Sequence, residues 1–244
     1  MKIAIISDIH GNFPALEAVK ERLEEDSPDK LICLGDIVGY YPWPVECTRF
    51  IRKNCEITIL GNHDQVVLAE DFETQVRWFN ETAEAALRWC RAALLKPQVS
   101  KEANFLRNLS ILEDPIINDI HMVFTHGSPD DPWEYILYYP RHPDYYLEKR
   151  MRKWLRKYKT RLIAIGHTHF PFIFKKKNGY VLNPGSVGQP RDGDPTASFM
   201  LVNTKKQKLT VEHHRVKYDI EETCEGVQEA NLPNFLCTRL FKGI

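Results

Sequence analysis

The sequence predicts an α/β fold in which two packed, mixed β-sheets are flanked by helices. Three observations carry this expectation. Strand-like apolar runs alternate with amphipathic helical stretches over residues 2–61. Antiparallel hairpin patterns fill residues 172–216. Strand-like runs throughout end in or run into glycine-marked turns that carry Asp, Asn or His. At 244 residues the chain is long enough for a sizeable core, and one domain over residues 1–244 accounts for it.

KIAIIS opens the chain as a strand, and Asn12 can cap a helix from Phe13 to about Asp26. Pro14 suits that helix's first turn, with Leu16, Val19 and Leu23 on one face. LICLG returns as a strand, PVECTRFIRKN reads as the next helix, and EITILG as a third strand. This β-α-β-α-β order implies parallel pairing with right-handed crossovers. Residues 64–110 then carry only helical periodicity: Val76, Phe79, Ala83, Leu87, Cys90 and Leu94 recur at three- and four-residue steps. Simple packing explains that insertion, but so does a cap beside a site, because it starts directly after Asn62-His63-Asp64.

Strands resume near Ile116 and at HMVFT, and an aromatic-rich loop leads to a helix ending near Tyr158. RLIAIG reads as a fourth parallel-type strand. FIFKKKNGYVLN is a hairpin with Asn178-Gly179 in its turn, and ASFMLVNT with LTVEHHRV form a second antiparallel pair. Residues 217–244 form a helical tail without site residues, suited to packing on its own domain or on a partner subunit of a homo-oligomer.

Charge excludes some function classes. Lys plus Arg total 33 and Asp plus Glu total 33, so no net field selects nucleic acid or a membrane surface. The chain opens directly on a strand with no signal-like stretch, and no apolar run is long enough to span a bilayer. Six scattered cysteines without a CxxC pair suit free thiols in a reducing compartment, and a cytoplasmic location is expected. The basic stretch from Lys149 to Arg161 reads as the solvated face of an amphipathic helix, with nucleic acid or an acidic partner as the alternative.

Five islands hold the chemistry: Asp8-Ile9-His10, Gly35-Asp36, Gly61-Asn62-His63-Asp64, His126-Gly127 and Gly166-His167-Thr168-His169. Singly, each polar residue is well explained as a turn cap or a satisfied histidine. Together, the repeated strand–turn pattern points to one rim where ligands converge. Asp8 and His10, and likewise His167 and His169, are two apart in what should be extended chain, so each pair can face one side. Asp36 can bridge two cations, Asn62 offers an amide oxygen and His126 an imidazole. Seven oxygen and nitrogen ligands without thiolate suit two divalent transition-metal ions, with Mn preferred over Fe, Ni, Co or Zn, and hence a two-metal hydrolase.

The order DxH, GD, GNH, H and GHTH resembles the calcineurin-like metallophosphoesterase superfamily over residues 2–203. GDIVGY, GNHD, GHTHFP and NPGSVGQPRDG resemble its small prokaryotic phosphodiesterase-type branch. The resemblance implies a four-layer αββα sandwich. It places Asp8, His10, Asp36 and His169 on one metal and Asp36, Asn62, His126 and His167 on the other, with Asp36 as the bridge. It also implies attack by a metal-bridging hydroxide, with His63 as the general acid that protonates the leaving oxygen. Protein phosphatases of the superfamily carry GDxVDRG, whose second Asp supports the catalytic histidine. Gly39 and Tyr40 stand there instead, which argues against a phosphoprotein substrate and leaves Asp64 either as a replacement support or as a helix cap.

Around this core, Arg191 follows a sharp turn at 183–188 and can grip a substrate phosphate, or brace its loop through Asp192 or Asp194. Tyr40, Tyr41 and Trp43 can flank a pocket or pack a loop, and Tyr41 is taken as the substrate contact. Trp133, Tyr135, Tyr138 and Tyr139 form a second aromatic loop placed to wall that pocket. The expected activity is hydrolysis of a small phosphate ester, phosphodiesters first. A nucleotide-polyphosphate hydrolase, a phosphomonoesterase, a nuclease (which needs a basic groove that zero net charge does not advertise) and a non-catalytic scaffold of the same fold, like the retromer subunit, are the alternatives.

Overall fold

The computed structural model describes residues 1–177, 179–205 and 208–244. The first half runs β1 (Lys2–Ile6), α1 (Phe13–Asp26), β2 (Lys30–Cys33), α2 (Pro44–Asn54), β3 (Ile57–Thr58), α3 (Asn62–Val67), α4 (Phe72–Gln75), α5 (Glu81–Leu94) and α6 (Ser100–Arg107). The second half runs β4 (Leu112–Glu113), β5 (Ile116–Ile117), β6 (Ile120–Thr125), α7 (Tyr145–Lys157), β7 (Leu162–Ala164), β8 (Phe172–Lys176) and β9 (Gly179–Asn183). It ends with β10 (Ala197–Lys205), β11 (Lys208–Val216), α8 (Ile220–Glu229) and α9 (Phe235–Leu240).

Two sheets result. One has the order β11-β10-β1-β2-β3, with β1, β2 and β3 parallel and β10 antiparallel to β1. The other has the order β4-β6-β7-β9-β8, with β6, β7 and β9 parallel. The RLIAIG strand is therefore parallel as expected, but it belongs to the second sheet. The hairpin turn expected at Asn178-Gly179 lies partly outside the described residues, at Asn178; Gly179 opens β9.

Strand periodicity explains the layers. Ile3 and Ile5 of β1 point between the sheets, where they meet Met122, Phe124, Leu162 and Leu182. Their neighbours Ala4 and Ile6 point outward and pack with Leu16 and Val19 of α1. On the far side, Val123, Ile163 and Val181 pack against Met151, Trp154 and Leu155 of α7. Central strands buried on both faces read as unbroken apolar runs, and they produce four layers in the order α, β, β, α.

In the basic stretch, α7 is amphipathic. Its Arg150, Arg152 and Lys157 pair with Glu134, Glu148 and Asp130 at 2.7, 2.5 and 2.9 Å, while Trp154 is buried beneath. This is the solvated, ion-paired face of a helix. All six cysteines are unpaired, and among the described residues no helix is long and apolar enough to cross a membrane.

The C-terminal tail packs on its own domain. Leu236 and Leu240 of α9 and Val227 of α8 are buried with Tyr40, Tyr41 and Ala83. Asn12 ties three elements together there. Its Oδ1 accepts from Ala15 N at 3.3 Å, capping α1, and from Thr223 Oγ1 of α8 at 3.0 Å. Its Nδ2 donates to Gly188 O at 2.8 Å. Asn12→Ala should cost about 2–3 kcal/mol, the sum of a lost cap and buried groups left unpaired. A urea midpoint equal to the wild-type value would remove Asn12 from that role.

Candidate metal centre

The five islands lie at strand ends brought together by the two parallel arrays. The β1–β2 ladder continues past its last residue: Leu34 N bonds Ile6 O, Asp8 N bonds Gly35 O, and His10 N bonds Asp36 O, at 2.8–3.0 Å. In the other sheet Gly166 N bonds His126 O at 2.8 Å. The turns are thus registered by main-chain bonds before any side chain contributes.

The chain is not extended at these ligands, contrary to the expectation from spacing. Asp8, His10, Asp36, His167 and His169 have φ of 54°, 53°, 52°, 69° and 58°. Five of the ten non-glycine residues with positive φ among the described residues are therefore predicted ligands. Such backbone costs on the order of 1–3 kcal/mol per residue and persists where surroundings enforce it, commonly at functional sites. Left-handed turns, not strand alternation, aim these side chains inward.

They converge as two groups. Ligand atoms of Asp8, His10, Asp36 and His169 lie within 4.8 Å of one another, and so do those of Asp36, His126 and His167. Asp36 is common to both, its Oδ2 at 3.5 Å from His10 Nε2 and 3.4 Å from His126 Nε2. Asn62 joins the second group, with Oδ1 at 3.3 Å from His126 Nε2.

The donor chemistry fits cations. His169 Nδ1 lies 2.6 Å from Gln189 O, His126 Nδ1 2.7 Å from Leu34 O, and His10 Nδ1 3.3 Å from Val38 O. A carbonyl only accepts, so each Nδ1 holds a proton, and the neutral rings of His10 and His169 present a lone pair at Nε2. The bare Nε2 atoms of His10 and His169 then face each other at 2.9 Å with nothing between them to bond. Asp8 Oδ1 is likewise buried without a hydrogen-bond partner, 3.3 Å from His169 Nε2. Divalent cations satisfy all of these acceptors at once.

Electrostatics agrees at three of the four histidines. Burial holds His10 and His169 well below the ordinary imidazole range and His167 down to about 3, so these three are neutral, the form in which a histidine can bind a metal. Burial acts the same way on His126, but the Asp36 carboxylate outweighs it and raises that imidazole to about 9. Asp36 resists burial through His126 and His63 and stays well below the usual carboxylate range. Burial pushes Asp8 up to about 7, with His126 pulling the other way.

A cavity of about 360 Å³ opens over the groups, lined by Asp36, Asn62, His63, His167 and His169. Tyr40, Tyr135, Arg191 and, from the helical insertion, Trp78, Phe79 and Asn80 complete the lining, with the Tyr40 ring 4.7 Å from His10 and the Tyr135 ring 4.5 Å from His167 between centroids. The insertion therefore borders the site.

The calcineurin-like phosphoesterase family matches residues 1–171. The chain belongs to this family. A metallophosphoesterase structure from Sphaerobacter thermophilus is 31% identical, covers 100% of both chains and superposes with a TM-score of 0.78. An uncharacterised protein of Methanocaldococcus jannaschii is 34% identical over 99% of this chain and 98% of its own length. A symmetrical bis(5'-nucleosyl)-tetraphosphatase of Haemophilus influenzae is 23% identical over 55% of this chain and 46% of its own.

As a calcineurin-like phosphoesterase, the chain departs from the GDxVDRG pattern at a place that matters. Gly39 (φ 148°) lies against two imidazoles: a Cβ there would sit 2.6 Å from His10 Nδ1 and 2.7 Å from His63 Nδ1. His63 Nδ1 is buried without a partner, which leaves Nε2 as the nitrogen open to the cavity. Packing orients the ring instead of a carboxylate, through His10, Phe79 and Tyr40 with centroids 4.7–4.9 Å away. Burial lowers this imidazole to about 4, with Asp36 opposing.

Asp64 does not support His63. Its Oδ1 accepts from Ile37 N and Val38 N at 2.9 and 3.1 Å, and its Oδ2 from Gly61 N at 3.1 Å. It ties the loop carrying Asp36 to the start of α3, the cap role seen in the sequence extended to a second loop. Burial and the Asp36 charge push its carboxyl up, and these N–H donors pull it back.

One of the two substrate contacts read from the sequence needs revision. Tyr41 is fully buried and donates to Leu236 O at 3.3 Å; the turn at Gly39 aims Tyr40 at the cavity and Tyr41 into the core. Arg191 does line the cavity, but it does not brace Asp192 or Asp194, because Arg215 pairs with both. In the second aromatic loop Tyr135 faces the cavity, whereas Tyr138 is buried on Phe172 and Phe174. Trp43 packs against α8 beside Gly226. The tail, expected to hold no site residue, contributes Arg239 to the lining. Nothing in its local sequence marks that arginine, because only the packing of α9 on Tyr41 brings it there.

Asp64→Ala leaves three main-chain donors unpaired and should cost roughly 3 kcal/mol or more. A denaturation midpoint unchanged by Asp64→Ala would contradict that bracing role.

Proposed function

We propose that the protein is a phosphodiesterase that uses two divalent metal ions, manganese before iron, nickel, cobalt or zinc. One observation supports this most strongly: seven ligands from five separate strand ends form two groups sharing Asp36, with an unliganded histidine beside them on the same cavity. Asp8, His10, Asp36 and His169 would hold one ion, and Asp36, Asn62, His126 and His167 the other. When bound, such a pair lowers the pKa of a shared water and neutralises charge building on phosphoryl oxygens.

The remaining work falls to the chain. Asp36 and Asp8 supply two negative charges, fewer than two divalent ions carry, so the centre stays cationic and attracts a phosphoester. Arg191 lines the same cavity, its guanidinium held by Gln189 Oε1 at 2.8 Å and Tyr40 Oη at 3.3 Å. His63 holds a proton at Nε2 and delivers it to the leaving oxygen as the P–O bond breaks. A bound phosphoester anion favours the protonated imidazole that this transfer requires, opposing the effect of burial.

Gly39 and Tyr40 in place of the phosphatase Asp and Arg favour small diesters over phosphoprotein. A nucleotide-polyphosphate substrate is the second reading, favoured by the aromatic rim of Tyr40, Trp78 and Tyr135 and by partial similarity to the tetraphosphatase. A scaffold has no use for His63, an unliganded imidazole open to the cavity. Six unpaired thiols support a reducing compartment, the cytoplasm.

Metal-stripped protein reconstituted with Mn, Ni, Zn or Mg should cleave bis(p-nitrophenyl) phosphate faster than p-nitrophenyl phosphate. Preference for the monoester would overturn the diester assignment. His63→Gln should keep both metals by elemental analysis while kcat falls about 10²–10⁴-fold; undiminished turnover would eliminate His63 as the acid. Asp36→Asn should lower the occupancy of both ions together. Loss of one equivalent alone would show that Asp36 is not shared.

A further inference from the structure

Arg239 comes from the last helix, far in sequence from every other cavity residue, yet its guanidinium lies over the Tyr40 ring with 5.5 Å between Cζ and the centroid. Arg191 lies 5.9 Å from the same centroid. Two cations thus share one aromatic ring beside the candidate metal centre, since that ring also packs on His10 and His63 with centroids 4.7 and 4.9 Å away. Burial lowers both guanidiniums; Arg191 adds to that at Arg239, whereas Tyr40, Tyr135 and Asp8 outweigh it at Arg191 and raise it.

Among the described residues neither forms a salt bridge with an Asp or Glu side chain, although the Asp8 carboxylate acts on Arg191 and favours its charge. Arg191 gives its hydrogen bonds to Gln189 Oε1 and to the hydroxyls of Tyr40 and Tyr135. Arg239 Nε is anchored by Ile244 O at 2.6 Å, which ties the guanidinium from the tail side. The nearby acids are taken elsewhere: Asp192 and Asp194 pair with Arg215. Converging like charges in a partly dry cavity cost free energy unless an anion joins them, and planar guanidiniums match phosphate oxygens in pairs.

We propose that Arg239 and Arg191 form a second anion subsite, which selects phosphoesters carrying a further phosphate group beyond the one that is cleaved. The proposal rests on the phosphodiesterase reading for the first phosphate only. The scissile group sits at the ligand groups with Asp36 and His63, and the second phosphate sits at the two guanidiniums in the same cavity of about 360 Å³, a volume suited to a small ligand. Arg239 is then a specificity residue: it holds the part of the substrate that does not react.

The kinetic test compares thymidine 5'-(p-nitrophenyl phosphate) with the same ester bearing a 3'-phosphate, on metal-loaded protein. The 3'-phosphate should lower KM about tenfold, the size of one charge-assisted hydrogen bond. In Arg239→Gln that ratio should shrink to about twofold, and Arg239→Lys should restore part of it. Equal KM values in the wild-type protein, or a ratio that survives Arg239→Gln, would overturn the proposal.

A binding test separates this subsite from the hydrolase reading. Calorimetry on protein loaded with two metal ions should show pyrophosphate binding about tenfold tighter than phosphate, with the difference lost in Arg239→Gln. Arg239-dependent pyrophosphate binding without turnover of either ester would sink the phosphodiesterase reading and leave the subsite standing. Pyrophosphate binding that ignores Arg239 would sink the subsite whatever the turnover.

Discussion

At the carboxyl ends of both sheets the structure is built around a carboxylate that water barely reaches. Asp36 is 1% exposed, and its Oδ1 accepts from His63 N at 2.9 Å while its Oδ2 faces His10 and His126. Burying such a charge is costly unless it is paired and hydrogen-bonded. The neighbours meet that condition at the expense of their own freedom. Gly61 has no room for a side chain, because a Cβ would lie 2.1 Å from Asp36 N. Asp64 closes the same loop from below through three main-chain donors.

The same demand spreads to the rest of the rim. Five ligands sit in left-handed backbone, so loops farther along the chain must hold them. Ser186 Oγ and Gly188 N both bond Asp8 O, at 2.6 and 3.0 Å. Asn183 Nδ2 bonds Gly166 O and Thr168 Oγ1, at 2.7 and 3.0 Å, fixing the turn with two histidine ligands. The 183–188 loop thus joins Asp8 in one sheet to His167 and His169 in the other. A strained, acceptor-rich site held by a rigid frame is what prompt binding of hard cations requires, since the ligands need not reorganise.

Charge of both signs meets in the cavity. The candidate ligand groups bring buried carboxylates and imidazole lone pairs. Arg191 and Arg239 bring two guanidiniums about the Tyr40 ring, which itself packs on His10 and His63. The helical insertion adds Phe79 and Trp78, the latter 87% exposed, to the lining.

Local spacing alone determined the layered architecture, the cap at Asn12 and the donor set of the metal centre. Those features depend on residues near one another in the chain: strand runs buried on both faces, a cap one residue before its helix, ligands grouped at strand ends. Only the tertiary structure decided which tyrosine faces the cavity, what Asp64 braces and that the tail reaches the site. Tyr40 and Tyr41 are adjacent, and their exchange of roles follows from a turn angle at Gly39 that no pattern announces. Arg191 meets Tyr40 across 151 residues, and Arg239 arrives because Leu236 and Leu240 bury beside Tyr41. Long-range packing leaves no periodic trace in sequence, so these contacts became legible only once the layers had closed.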